Sequence, residues 1–260
     1  MDAVNRTLYI PLYGKAMVSS KGILLHDPDA ERIWAAEGFP LRGKAKSKWL
    51  AYSMGMRAAV FDDWTRGRMA QDGQAPVLHI GCGLDSRCRR VGGDNLWVDL
   101  DFPEVIGERK RYFAEDARYR MLAGDARQAD WVKQLPEAER AIVVMEGVSM
   151  YLTGAELAEL LQRLHGRFAH LDVLMDCYTV FAAKASKWKN PVNTVGARML
   201  YGVDDPQALA EKAGLRLAGE RELTPRALVE QLQGFERRFF AHVMAGGMAK
   251  KIYRLYEFTV

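Results

Sequence analysis

Cysteine is scarce: Cys82, Cys88 and Cys177 are the three in 260 residues, and no two of them form a CxxC pair. That excludes a disulfide framework and a four-ligand zinc site, and it fits a reducing, cytoplasmic setting with no metal. Long hydrophobic runs are missing too, so no bilayer span is expected. Pro11, Gly14 and Lys15 interrupt the apolar residues near the amino terminus, and no signal-peptide core is expected there. Neither charge sign dominates. Lys and Arg total 37 against 33 Asp and Glu, a net charge of +4, short of the clustered basic surface that a nucleic-acid backbone demands. Without an internal repeat, low-complexity tract or Pro/Ser linker, the chain reads as a single domain over 1–260. Its 49% apolar and 27% charged residues are those of an ordinary globular protein.

What is present is a rhythm of elements. Asp27-Pro28 supplies an N-cap and a first-turn proline, Gly38 closes the segment holding Ile33 and Trp34, and a longer helix is predicted over 46–69. From Pro76 onward, short apolar runs alternate with amphipathic stretches. Buried strands are predicted at 77–80, 96–98, 119–122, 141–145 and 171–175. The clearest helix carries Leu157, Leu160, Leu161, Leu164 and Phe168 on one face and opens with a capping box from Thr153 to Glu156. Strand alternating with helix means an α/β fold with a parallel sheet. The rhythm lapses after Cys177 through Asn190-Pro191. It resumes with a helix that Asp205-Pro206 opens and Gly214 ends, then a strand over 215–221 and a helix start at Thr224-Pro225. A turn at Gly246-Gly247 and an antiparallel last strand over 252–258 complete the expectation.

Candidate chemistry sits at the strand ends. Val77 to Ile80 runs into Gly81-Cys82-Gly83, where glycine lets the backbone turn sharply and approach a ligand. The third position of a dinucleotide fingerprint is Ser86 rather than glycine, which weakens a nicotinamide reading. Asp99 and Asp101 end the next strand, where an acid can accept hydrogen bonds from ribose hydroxyls. Gly124-Asp125-Ala126 ends the third and Glu146 the fourth. Each feature alone has a bland reading as a turn or helix cap; four successive strand ends bearing glycine or a carboxylate point to one nucleoside-binding crevice.

The glycine turn with Asp85-x-Arg87, the Asp99-Leu100-Asp101-x-Pro103 stretch, Glu146-Gly147-x-x-Met150-Tyr151-Leu152 and Gly202-Val203-Asp204-Asp205-Pro206 together resemble the leucine carboxyl methyltransferase superfamily, which uses S-adenosylmethionine. The likeness spans about 15–217 and is strongest to the bacterial branch of tetracenomycin-type polyketide O-methyltransferases. It implies a Rossmann-like, class I methyltransferase sheet of seven strands with helices on both faces and an antiparallel last strand. Residues 1–70 would form a helical lid and cofactor clamp, 76–177 the cofactor-binding core, 178–204 a lid insertion and 205–260 the completion of the sheet. It also implies that Gly81 and Gly83 lie under the methionine end of the cofactor, that Arg57 and Lys15 contact it, and that Asp101 holds the ribose. Asp125 and Ala126 would meet the adenine, Glu146 the reacting end, and Tyr151 would face the acceptor. The acceptor-binding residues of the eukaryotic members have no recognisable match in the second half of the chain, so transfer to a phosphatase carboxyl terminus is not implied.

A methyl acceptor that is already a carboxylate needs no general base, whereas a phenol does. Of the five histidines, His79 is expected to be packed, His165 and His170 to be at the surface, and His26, in the expected lid, is the candidate base. The want of an obvious base leans toward a carboxyl acceptor. The basic runs Lys44 to Lys48 and Arg87 to Arg90 are expected to be solvated faces, and Trp188, Met199 and Tyr201 are candidate pocket walls. The leading expectation is an O-methyltransferase of a small carboxyl or hydroxyl metabolite, acting as monomer or homodimer. The alternatives are a non-catalytic adenosyl-cofactor sensor and a nicotinamide-dependent oxidoreductase.

Overall fold

The computed structural model describes residues 5–189 and 200–260, with side chains described over 6–186 and 200–260. Three helices precede the sheet: α1 (Tyr9–Ser20), α2 (Pro28–Glu37) and α3 (Lys48–Gln71). Local chemistry fixes the ends of α2 as the sequence predicts. Asp27 accepts the Ala30 N–H at 2.9 Å, Pro28 occupies the first turn, and Gly38 ends α2 in the left-handed region at φ 58°.

The sheet then alternates with helices: β1 (Val77–Ile80), α4 (Arg87–Val91), β2 (Trp97–Asp101), α5 (Pro103–Arg109), β3 (Tyr119–Ala123), β4 (Arg140–Met145), α6 (Gly154–Arg167) and β5 (His170–Tyr178). After α7 (Val180–Lys189), α8 (Pro206–Ala213) and β6 (Arg216–Arg221), three short helices at Arg226–Val229, Gly234–Phe239 and Gly247–Lys250 lead to β7 (Tyr253–Thr259). Gly246 makes the turn expected there, at φ 60°, and a short helix at Gly247–Lys250 follows it before β7.

The strand order is β3-β2-β1-β4-β5-β7-β6. All pairings are parallel except those of β7, which runs antiparallel to both β5 and β6. The strands bury both faces by the period of two. Leu78, Ile80, Val143, Met145, Val173 and Met175 face the core filled by Leu157, Leu160, Leu161 and Leu164 of α6. Val77, Trp97, Ile142, Val144 and Leu174 face the other way, onto Val60, Phe61 and Trp64 of α3. Because β1 lies between β2 and β4, the chain reverses its direction of travel across the sheet there and opens a crevice at the carboxyl ends of those strands.

The amphipathic α6 starts on the expected capping box: Thr153 Oγ1 accepts the Glu156 N–H at 3.2 Å and Glu156 Oε2 accepts the Thr153 N–H at 2.7 Å. Replacing Thr153 with Ala is expected to cost about 1 kcal/mol of unfolding free energy in denaturant titration, with m unchanged. No helix among the described residues is long and apolar enough to cross a membrane.

Candidate functional site

The crevice deepens into a cavity of about 740 Å³ lined by the tips of β1, β2, β3 and β4, by α1 and α3, and by residues of β5, α7 and β7. Gly81 and Gly83 form its floor with φ of 69° and 52°. A Cβ at Gly81 would stand 2.2 Å from Val148 Cγ2, so the turn closes only with glycine there. The Gly83 N–H donates to Asp101 Oδ2 at 2.7 Å, and the Gly83 carbonyl accepts from Arg109 Nη1 at 3.0 Å, which pins both sides of the turn. Asp101 Oδ1 accepts the Phe102 N–H at 2.8 Å. Burial lifts the Asp101 carboxyl to about 6 against the pull of those two N–H donors.

One wall of the cavity backs onto a buried ion network. Glu146 lies between Arg57, 3.1 Å from its Nη2, and Arg87. Burial opposes its ionisation, but the Arg87 and Arg57 guanidiniums outweigh burial and hold the carboxyl down to about 2. Arg57 Nη1 also donates to Asp176 Oδ2 at 2.7 Å, while Asp176 Oδ1 accepts the Gly147 N–H at 2.6 Å. Lys15 Nζ stands 3.0 Å from Asp85. Arg87 reaches Asp62 at 2.8 Å, and Arg90 reaches Asp27, Asp62 and Asp85 at 2.5, 2.6 and 3.0 Å.

Much of the remaining lining is apolar and aromatic, with Ile10, Met54, Tyr151, Tyr178 and Phe181 among its walls. Burial raises the Tyr151 phenol to about 12, which leaves it protonated at neutral pH.

A sequence model described as leucine carboxyl methyltransferase matches residues 5–165, more than half of the chain. The chain belongs to the leucine carboxyl methyltransferase family. It is an S-adenosylmethionine-dependent methyltransferase. The tetracenomycin polyketide synthesis O-methyltransferase TcmP of Streptomyces glaucescens is 28% identical over 206 residues, covering 78% of this chain and 76% of that one. The S-adenosyl-L-methionine-dependent methyltransferase dpfgK of Gibberella zeae is 27% identical over 235 residues, covering 80% and 78%. The magnesium protoporphyrin IX methyltransferase ChlM of Synechocystis, solved with bound S-adenosylhomocysteine, shares the fold at a TM-score of 0.52 and 12% identity over 94% of this chain and 96% of that one. The class I methyltransferase fold expected from the motifs is thereby the fold of this protein.

In this methyltransferase Lys15, Arg57, Gly81, Gly83, Asp101, Asp125, Ala126, Glu146 and Tyr151 all line the one cavity. Their chemistry fits the cofactor: a glycine cradle that a side chain would fill, a carboxylate at the β2 tip, and cationic side chains from α1 and α3. Arg57 is partnered already, but a guanidinium has five N–H donors and its contacts engage three of them.

His26 does not belong to the site. Its side chain is exposed and the residue does not line the cavity. Asp99 shares the face of Asp101 by strand alternation but lies two residues further from the strand tip and does not line the cavity: it is buried, accepting from Trp97 Nε1 at 2.9 Å and Tyr119 O–H at 2.6 Å and pairing with Arg109. His79 is packed as expected, between Asp99 and Arg87. The solvated face expected at Arg87 to Arg90 holds for Arg89, whose side chain is 47% exposed, and fails for Arg87 and Arg90, at 0% and 4%. Tyr201 is not a cavity wall, while Met199 and the Trp188 side chain lie outside the described residues.

Asp176 escaped the motif search. Its signal was an acid in the middle of the apolar run Val173-Leu174-Met175-Asp176-Cys177, where an unpaired charge is too costly to bury.

Proposed function

We propose that the protein transfers a methyl group to an oxygen of a small-molecule acceptor, carboxylate before hydroxyl, by in-line displacement. The observation that carries this reading is one cavity of about 740 Å³ whose lining joins a glycine turn and carboxylates to apolar and aromatic side chains. S-adenosylmethionine supplies a methyl already activated on a sulfonium. The chain's part is placement: Asp101 receives the ribose hydroxyls, Asp125 and Ala126 flank the adenine, and Gly81 and Gly83 admit the methionine end. Arg57 and Lys15 face its carboxylate, Glu146 its cationic groups, and Tyr151 stands on the acceptor side. Holding nucleophile and methyl in line within a dry cavity provides most of the rate enhancement such a reaction needs.

No unengaged general base stands among the described lining residues. Burial lowers the His79 imidazole and Asp99 and Arg87 occupy its two nitrogens, while Glu146 is committed to two arginines. Ionising a phenol at neutral pH costs about 4 kcal/mol, which favours an acceptor that is already an anion.

The test is an acceptor screen with purified protein and S-adenosylmethionine, scored by mass spectrometry. The expected product gains one methyl and loses it again in mild alkali, as an ester does and an ether does not. An alkali-stable product would replace carboxyl with hydroxyl transfer; methyl found on nitrogen, sulfur or carbon would overturn the proposal.

A further inference from the structure

The network behind Glu146 does not balance. Lys15, Arg57, Arg87 and Arg90 bring four positive charges to Asp27, Asp62, Asp85, Glu146 and Asp176, which bring five negative ones, so the sum is 4 − 5 = −1. The adjoining Asp99 and Arg109 cancel each other. These side chains are at most 6% exposed, so solvent and salt screen the imbalance poorly. No outside cation compensates it from the cavity: among the described lining residues, the remaining cation is Arg127, which pairs with Asp125 at 2.5 Å.

Asp176 creates the excess. Without it the four cations would face four carboxylates. It does not line the cavity, yet it draws on Arg57, the guanidinium that also serves Glu146, and Glu146 does line the cavity. The second partner of Glu146, Arg87, is divided further among Asp62 and Asp85. Glu146, held ionised by Arg57 and Arg87, is therefore the carboxylate at which the net charge of the network meets the ligand space.

Resting on the cofactor site proposed above, we propose that Asp176 is a specificity-determining residue that makes the site prefer the cationic S-adenosylmethionine to its neutral product S-adenosylhomocysteine. The two ligands differ by one positive charge and one methyl. A wall with one negative charge to spare attracts the first and is indifferent to the second, so the spent product leaves a site whose charge it cannot satisfy. Asp176 acts through Arg57 and Glu146 and touches neither ligand.

Calorimetric titration in mildly alkaline buffer tests this with three probes: S-adenosylmethionine, S-adenosylhomocysteine, and sinefungin, whose ammonium group keeps the positive charge without a sulfonium. Wild-type protein is expected to bind both cationic probes more tightly than S-adenosylhomocysteine. In Asp176→Asn, which keeps an oxygen for the Gly147 N–H, that preference is expected to fall on the order of tenfold, the effect of a unit charge roughly 12 Å away at an effective dielectric of about 20. Asp62→Asn, which removes a charge from the same network at a residue that does not line the cavity, is expected to move the preference in the same direction, and it decides the matter should Asp176→Asn not fold. Equal loss of all three probes in both variants, or wild-type protein binding S-adenosylhomocysteine as tightly as S-adenosylmethionine, would overturn the inference alone. Failure of wild-type protein to bind any probe would overturn the cofactor site itself and the inference with it.

Discussion

Arg87→Ala is expected to lower the unfolding free energy by about 3–5 kcal/mol, while Arg89→Ala, two residues along the same short helix, is expected to change it by less than about 0.5 kcal/mol. The guanidinium of Arg87 has no exposed surface and engages Asp62 at 2.8 Å, Glu146 and, at 3.5 Å, Asp85. Deleting it leaves three carboxylates in a site that has lost a quarter of its positive charge, and burying a charge without its partner is among the costliest changes a protein can suffer. Arg89 pairs with Asp29 at 3.3 Å across the surface, where water does most of the same work. Chemical denaturation of both variants measures the contrast. An Arg87→Ala protein within 1 kcal/mol of wild type would mean that the carboxylates take up protons at little cost and that the network is not an electrostatic unit, on the scale of about 1.4 kcal/mol per unit of pKa shift.

The same pair of arginines shows where sequence reading ends. Composition and spacing within Arg87-Cys88-Arg89-Arg90 cannot say which residue points inward, since α4 is only five residues long and has too few turns to display a period. The sheet was legible because its signals are local. Apolar runs such as Ile142-Val143-Val144 leave no doubt about burial, and the caps at Asp27, Thr153 and Asp205 announce their own helix starts. Gly81, Asp101, Asp125 and Glu146 were legible for a topological reason: in a parallel sheet every strand tip at the carboxyl edge meets the same crevice. Asp176 and Asp62 meet Arg57 and Arg87 from 119 and 25 positions away in the chain, and such pairings exist only once the helices have docked. His26 misled for the opposite reason. A lone histidine near an expected lid carries no information about direction, and here its side chain is exposed to solvent.

Replacing Asp101 with Ala is expected to weaken S-adenosylmethionine binding by about 1–3 kcal/mol, because in the proposed cofactor site the ribose would lose its charged acceptor. A carboxylate has room for about four hydrogen bonds. The N–H groups of Gly83 and Phe102 take one on each oxygen and fix its plane, so the remaining lone pairs stay available to the ligand. The pH dependence follows from the same geometry. Burial lifts this carboxyl from its ordinary 3.8 to about 6, so the folded protein without ligand holds the proton more tightly than the unfolded chain does. Its contribution to stability is therefore greatest at low pH and declines as pH rises through the interval from 3.8 to about 6. Ligand binding carries the opposite sign, because the ribose hydroxyls donate to the ionised form. Affinity in wild-type protein is expected to be level above about 6 and to fall as pH drops below it, and Asp101→Ala is expected to lose that limb of the profile. Calorimetric titrations of both proteins across this range provide the measurement, and a wild-type affinity that stays flat through it would show that Asp101 is not the group that meets the ribose.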